Sequence, residues 1–308
     1  MKRHTLSYAI AIILLIMLGL VAQQTADKSV LYPPLAALIL GVLLKDTMPW
    51  RVRLWQITPI LTAAAFIGVI IANYLKNSTI ISFSIGYFLI AVVLTIFRST
   101  LFPALATALL PIVLHITSPH YVLSVFVCSL TVSLIGRYYI AKGWNNYQPE
   151  KARNKESLYR AAWHWTYLWL YFVVLLIVAV LTHKMTLIAP PLIVIYITLN
   201  QNRTDVPINS YRILLAIFLS SCCGAIGKYA LSFSLPLPVI LPVTFLLAYF
   251  LMRRVKVIMP PVAAISILPF VLPGKTELYP LLATLGSIYL IICVNIRRAI
   301  TRSMEATH

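Results

Sequence analysis

The sequence predicts an all-α fold: a polytopic transmembrane bundle of about twelve helices, some short or broken, in two parallel six-helix repeats. Three observations lead there: the composition, the one-sided placement of basic residues, and motifs that recur at a near-constant interval. Of 308 residues, 61% are hydrophobic and only 10% charged, with a mean hydropathy of +0.91. About a quarter of an average soluble sequence is charged. Only helices and closed barrels satisfy every backbone group inside lipid. Apolar runs of roughly 15–22 residues are too long for barrel strands and suit helices.

Taken in order, hydrophobic runs against polar gaps place spans near 6–22, 29–44, 55–75, 80–97, 100–117, 119–140, 161–182, 186–199, 210–232, 236–252, 258–272 and 277–297. Segments 29–44, 186–199 and 258–272 are short for a full crossing, so tilted, broken or re-entrant helices are expected there. Lys2, Arg3 and His4 before the first apolar run resemble the charged start of a secretory signal peptide. The matching place in the second half, 165–181, is another hydrophobic run, so the first is read as a membrane helix. Cys128, Cys222, Cys223 and Cys293 all fall in apolar runs without metal-site spacing and read as packing residues.

With the N-terminus inside, only Lys28, Lys76, Lys184, Lys228 and Lys275 lie outside, and the other 20 of the 25 lysines and arginines are cytoplasmic. Basic residues stay on the untranslocated side. Both termini are therefore expected in the cytoplasm, at the plasma (inner) membrane. The net charge of +18 is explained by orientation and by attraction to anionic headgroups. Scattered over short loops on one face, it does not suggest nucleic-acid binding.

The interval decides the architecture. Pro33-Pro34 recurs as Pro190-Pro191, Asp46 with Arg53 as Asp205 with Arg212, and Arg98 as Lys256. Phe102-Pro103-Ala104-Leu105-Ala106, running to Pro111, recurs as Pro260-Pro261-Val262-Ala263-Ala264, running to Pro269. The offsets drift only from 157 to 159. The expected domains are a first repeat over 1–142, a polar cytoplasmic linker over 143–160 and a second repeat over 161–308. Six helices return the chain to its starting side, so the repeats should be parallel, related by an axis along the membrane normal.

At these residues the sequence resembles the HPP family of integral membrane proteins, named for a His-Pro-Pro motif. The first copy reads Pro33-Pro34, Asp46, Arg53, the small-residue stretch ending at Gly68, Arg98, Phe102-Pro103 and Thr107. The second reads Pro190-Pro191, Asp205, Arg212, the stretch ending at Gly224, Lys256, Pro260-Pro261 and Ser266. The naming histidine is Leu101 in the first copy and Met259 in the second, a departure from the family pattern. The resemblance implies a transporter, since that family is associated with nitrite transport. A rival resemblance is to the fusaric-acid-resistance or aromatic-acid-exporter type of duplicated membrane protein, into which Arg212-Ile213 through Gly224 also fits. It would imply a membrane-fusion partner subunit.

The residues themselves narrow the chemistry. All seven acids, Asp27, Asp46, Glu150, Glu156, Asp205, Glu277 and Glu305, fall in loops or at helix ends. Carboxylates buried mid-membrane are the usual proton relays and cation sites. Their placement here weakens carboxylate-coupled transport, metal binding and enzymatic acid–base work, so no cofactor and no catalytic residue is expected. Proline at a helix start leaves free N–H donors and a partial positive charge that suit an anion, though it also simply caps short helices. The expectation is a permease for a small anionic solute, approached by Arg53, Arg98, Arg212 and Lys256 and met deeper in by Pro103, Thr107, Pro260, Pro261 and Ser266. Asp46 and Asp205 are read as structural loop partners of the basic groups. The alternative is a non-transporting scaffold or accessory subunit of an efflux-type complex, and homo-oligomerisation fits either. Cysteines introduced into 143–160 should label only from the cytoplasmic side; labelling from outside intact cells would overturn the orientation.

Overall fold

A computed structural model describes residues 2–75, 78–144, 158–201, 209–274 and 276–306. Asp205, Arg203 and most of the linker lie outside the described residues. The described chain forms twelve α-helices and no strand. Eight are long and apolar enough to cross a membrane: α1 (Lys2–Thr25), α3 (Leu54–Tyr74), α4 (Thr79–Ile96), α6 (Pro119–Ala141), α7 (Leu158–Leu181), α9 (Ser210–Ala230), α10 (Leu237–Val255) and α12 (Tyr279–Ala306). Four are short: α2 (Pro34–Leu38, continued as a π-helical turn Ile39–Leu44), α5 (Pro103–Leu114), α8 (Pro190–Gln201) and α11 (Pro260–Ile267). A helix of a dozen residues extends about 18 Å, well under the ~30 Å hydrocarbon core. Segment 100–117, expected to span, is therefore a fourth short helix within α5's bounds.

The long helices turn their apolar faces outward. On α6, Leu123, Phe126, Val127, Leu130 and Leu134 are exposed, while Ser124, Ser129, Ser133 and Gly136 are buried. Water would drive the opposite arrangement, so this exterior is made for lipid. The buried serines satisfy backbone carbonyls of neighbouring segments: Ser124 donates to Val30 O at 2.6 Å and Ser133 to Leu54 O at 2.6 Å. Small polar faces let helices approach and hydrogen-bond where no hydrophobic drive exists between them.

The short helices occupy the middle. Pro103 through Ile112 of α5, Pro190 through Ile197 of α8 and all of α11 are buried. A helix buried on every side has to be surrounded by others. Here α2 packs against α11 and α5 against α8, while outside them α1 packs against α10 and α4 against α7. Polar contacts sort the loops to two ends. At one end Arg3 pairs with Asp46 at 2.9 Å, Ser7 donates to Tyr139 Oη at 3.0 Å, and Arg297 donates to Asn200 Oδ1 at 2.9 Å. That end holds the starts of α1 and α7 and the ends of α6 and α12. At the other, Asp27 meets Ser118 and His120.

Glycines set how close the layers come. A Cβ on Gly68 of α3 would lie 2.3 Å from the Ala108 carbonyl oxygen, and one on Gly224 of α9 2.5 Å from that of Ser266. Backbone cannot yield like a side chain, so Gly68→Ala and Gly224→Ala should each lower stability by about 1–3 kcal/mol. Thermal unfolding in detergent reads this; unchanged Tm in both would mean that α3 and α9 do not seat on the short helices.

Candidate functional site

The starts of the four short helices meet. Pro34 with Ala37, Pro103 with Ala106, Pro191 with Val194, and Pro261 with Ala264 enclose a void of about 10 Å³. In each helix these are a first-turn proline and the residue three positions on, which share a face. Proline suits that turn because its missing N–H needs no partner, and small neighbours let four helix starts converge. The void has an apolar lining and room for about one water. No solute fits there in this arrangement.

The donors that sequence reasoning assigns to an anion are already occupied. Leu35 and Ala36 donate to Tyr32 O and Pro33 O at 3.0 and 3.1 Å. Ala104 and Leu105 donate to Leu101 O and Phe102 O at 3.0 and 2.9 Å. Leu192 donates to Ala189 O at 2.8 Å and Val262 to Met259 O at 3.0 Å. Thr107, fully buried, donates to Pro103 O at 2.9 Å, so the Tyr32 hydroxyl must be the donor in its 2.9 Å contact with Thr107 Oγ1. Ser266 donates to Ala263 O at 2.8 Å. Both hydroxyls face backbone, Thr107 in the first half of α5 and Ser266 next to the last residue of α11.

Interior prolines create the next requirement. Pro111 cannot donate to the carbonyl four residues back, that of Thr107. Tyr121 of α6 supplies the missing bond, Oη to Thr107 O at 2.8 Å. Pro269 likewise leaves Ile265 O without its helical donor, and Tyr279 of α12 supplies it at 2.8 Å. These tyrosines were not singled out from sequence. Their signal is a proline inside a helix and a tyrosine ten residues later.

The far ends of the short helices carry free carbonyls, and polar side chains reach them. Arg3 Nη2 donates to Lys45 O at 3.1 Å after α2, and Arg298 Nη2 to Leu199 O at 2.9 Å in α8. Beyond α5, Asn73 Nδ2 lies 3.4 Å from Thr117 O. Beyond α11, Lys228 Nζ donates to Leu272 O at 2.6 Å and Gly274 O at 2.7 Å. Cations at helix C-termini also favour the dipole.

The basic residues expected to gather, Arg53, Arg98, Arg212 and Lys256, lie exposed at helix ends. Arg53 and Arg212 begin α3 and α9 through their backbone amides, Arg53 N donating to Gln56 Oε1 at 3.0 Å and Arg212 N to Asn209 Oδ1 at 3.2 Å. Arg98 and Lys256 sit in the left-handed region, φ 48° and 61°, and end α4 and α10 so that the chain can turn into α5 and α11. That conformation normally favours glycine. Asp46 corrects the expected loop pairing: its partner is Arg3, not Arg53. Pro103 and Pro261 line the void, whereas Pro260 is buried beside it. All four cysteines are free. Among the described residues no three or more His, Cys, Asp or Glu side chains gather as metal ligands.

Among the described residues outside the membrane-spanning segments, Asp27 is the strongly organised acid. Hydrogen bonding to Ser29, opposed by partial burial and reinforced by His120 and Ser118, holds its carboxyl down at about 2. Its Oδ1 accepts from Ser29 N at 2.8 Å and caps the turn that leads to α2.

The class is thus a membrane helix bundle whose core is made of four proline-opened, half-length helices. No family model matches the chain, nor does any curated protein or solved structure.

Tyr121→Phe and Tyr279→Phe each leave a buried carbonyl without a donor and should lower stability by about 1–3 kcal/mol. Equal thermal stability of both variants and the parent would show that water already serves those carbonyls. Asp27→Asn should lower Tm at neutral pH, by about 1 kcal/mol in stability for a weakened cap. A depressed carboxyl stabilises above its unfolded pKa and loses that contribution as pH falls through its folded value. The parent should therefore approach the variant between about pH 4 and pH 2, and parallel pH profiles would contradict this.

Proposed function

We propose that this chain is a transporter that moves a small anionic solute along the seam of the four short helices, and that the structure is its closed state. The observation carrying this reading is the convergence of four proline-opened helix starts, too short to span lipid, on one point where the two halves of the chain meet. Broken helices at the membrane centre are where transporters place their solutes. Each start contributes a partial positive charge to that point, and no described carboxylate lies there to repel an anion. The N–H donors are engaged in tight turns, so binding requires an opening that releases them. Arg53, Arg98, Arg212 and Lys256 give the approach its charge.

This reading includes two tandem six-helix copies in parallel. Its support is geometric recurrence: Tyr121 on Thr107 and Tyr279 on Ile265, Gly68 on Ala108 and Gly224 on Ser266, left-handed Ala26 and Arg98 matched by His183 and Lys256. Exchanging the copies turns the contact of α1 with α10 into that of α7 with α4, and α2 with α11 into α8 with α5. With the basic residues inside, the end carrying Arg3 and Arg297 is cytoplasmic in a plasma (inner) membrane. The resemblance to the HPP family fits this picture and makes nitrite the first probe. One observation favours the accessory-subunit alternative: the void at the seam is apolar and no larger than a water.

In a background lacking the native cysteines, Ala106→Cys with Val194→Cys tests both. Oxidised proteoliposomes should take up nitrite or nitrate at least tenfold more slowly than reduced ones, with recovery on reduction. Uptake that persists in fully cross-linked protein excludes the seam as the path, and no uptake of either anion by the parent favours the accessory role.

A further inference from the structure

One cluster of the second half serves neither the seam nor the caps. Tyr196 of α8 is 1% exposed and its hydroxyl has no hydrogen-bond partner among the described residues. Burying a hydroxyl without a partner costs about 1–3 kcal/mol, so such a group asks for a reason. Cys293 and Arg297 of α12 and Tyr171 and Tyr167 of α7 lie within electrostatic range of that hydroxyl, as does Tyr87 of α4, and the Phe172 ring stands edge-on to its ring at 6.4 Å. The Tyr167 and Tyr171 hydroxyls bond each other at 2.6 Å, and the Arg297 guanidinium lies 5.4 Å from the centre of the Tyr167 ring. Arg297 also donates to Asn200 Oδ1 at 2.9 Å, one helical turn beyond Tyr196, while Asn200 Nδ2 donates to Tyr196 O at 2.8 Å. The cluster thus has a half-exposed cation, a planar aromatic bed, and a buried donor that lacks an acceptor.

The first half shows that the fold does not need these groups. The positions 157 residues before Tyr167, Tyr171, Tyr196 and Asn200 are Ile10, Leu14, Ile39 and Leu43, and the position 158 before Cys293 is Ile135. Ile39 and Leu43 are buried in the core, and Ile10, Leu14 and Ile135 pack against it. Aliphatic side chains hold these five positions there. The position 158 before Arg297 is Tyr139, whose hydroxyl is satisfied by Ser7, whereas an unsatisfied hydroxyl such as that of Tyr196 is a burden on stability unless something binds.

We propose that Tyr196, Arg297, Asn200 and the Tyr167–Tyr171 pair form a site for a single oxyanionic group, a carboxylate or phosphate, reached from the end of the bundle where α7 begins and α12 ends. The oxyanion accepts from the Tyr196 hydroxyl and from the Arg297 guanidinium. Entry requires the half-exposed Arg297 side chain to swing from Asn200. The group comes either from a lipid headgroup at that membrane face or from a soluble anion. The site stands apart from the seam and does not depend on transport there.

The test is Tyr196→Phe in purified full-length protein, with Arg297→Gln as a second variant. Binding of phosphatidylglycerol in mixed micelles and of inorganic phosphate and acetate is read by thermal shift. Removing the orphan hydroxyl should raise the Tm of unliganded Tyr196→Phe and weaken anion binding about tenfold, as for a lost bond to a charged group. Arg297→Gln should weaken it further. Binding of phosphatidylglycerol alone assigns the group to lipid; binding of phosphate or acetate as well assigns it to soluble anions. The proposal is overturned if Tyr196→Phe gains stability while binding of every probe is unchanged, or if no probe binds the parent. Should Arg297→Gln fail to fold, the Tyr196 variant alone decides.

Discussion

Everything in this molecule follows from the rule that a backbone carbonyl or amide in lipid must find its partner within the protein. Four buried helices too short to cross a membrane break that rule at both ends. Prolines remove donors at the starts, tight turns engage the next ones, and Arg3, Arg298, Lys228 and Asn73 answer the carbonyls at the ends. Pro111 and Pro269 open one more gap each, which Tyr121 and Tyr279 close from the following helix. The long outer helices insulate these groups from lipid, and their buried serines complete the wall.

This also explains why many basic residues have two explanations. Arg3 and Arg298 belong to the basic residues from which the orientation is expected, yet each also bonds a short-helix carbonyl. Arg98 and Lys256 lie at the same end, and there the backbone turn is the specific feature. Charge alone therefore separates poorly the arginines that serve a fold from those that meet a solute. Burial and bonding separate them better, and by that measure the half-buried, bonded Arg3, Arg297 and Arg298 differ from the exposed Arg53, Arg98 and Arg212.

Much of the architecture was legible in the chain. Hydrophobic runs gave the helices because lipid imposes a length, and shortness flagged α2, α8 and α11. Segment 100–117 escaped because the apolar entry Leu101-Phe102 and exit Ile116 extended the run beyond the helix. The proline motifs coincide with the openings of the four short buried helices, where a missing N–H needs no partner. The state of the donors around them was not legible: whether Thr107 faces a cavity or Pro103 O depends on a rotamer, which sequence spacing does not record. The Asp46–Arg53 spacing suggested a local pair, but the nearer guanidinium came from α1, 43 residues away in sequence. Tyr196 gave no sequence signal because a tyrosine near a membrane face looks like an interfacial anchor.

The reliance of α5 on Tyr121 and of α11 on Tyr279 bears on biosynthesis. A ribosome delivers these segments in order, so for a time each short helix exists with an open carbonyl and a length that cannot bridge the bilayer. Neither can settle until the helix after it has emerged. The consequence expected of these bonds is insertion in units larger than one helix, α5 with α6 and α11 with α12. Truncation after Leu114 or after Phe270 would leave a chain end that lipid rejects, a ready mark for quality-control proteases.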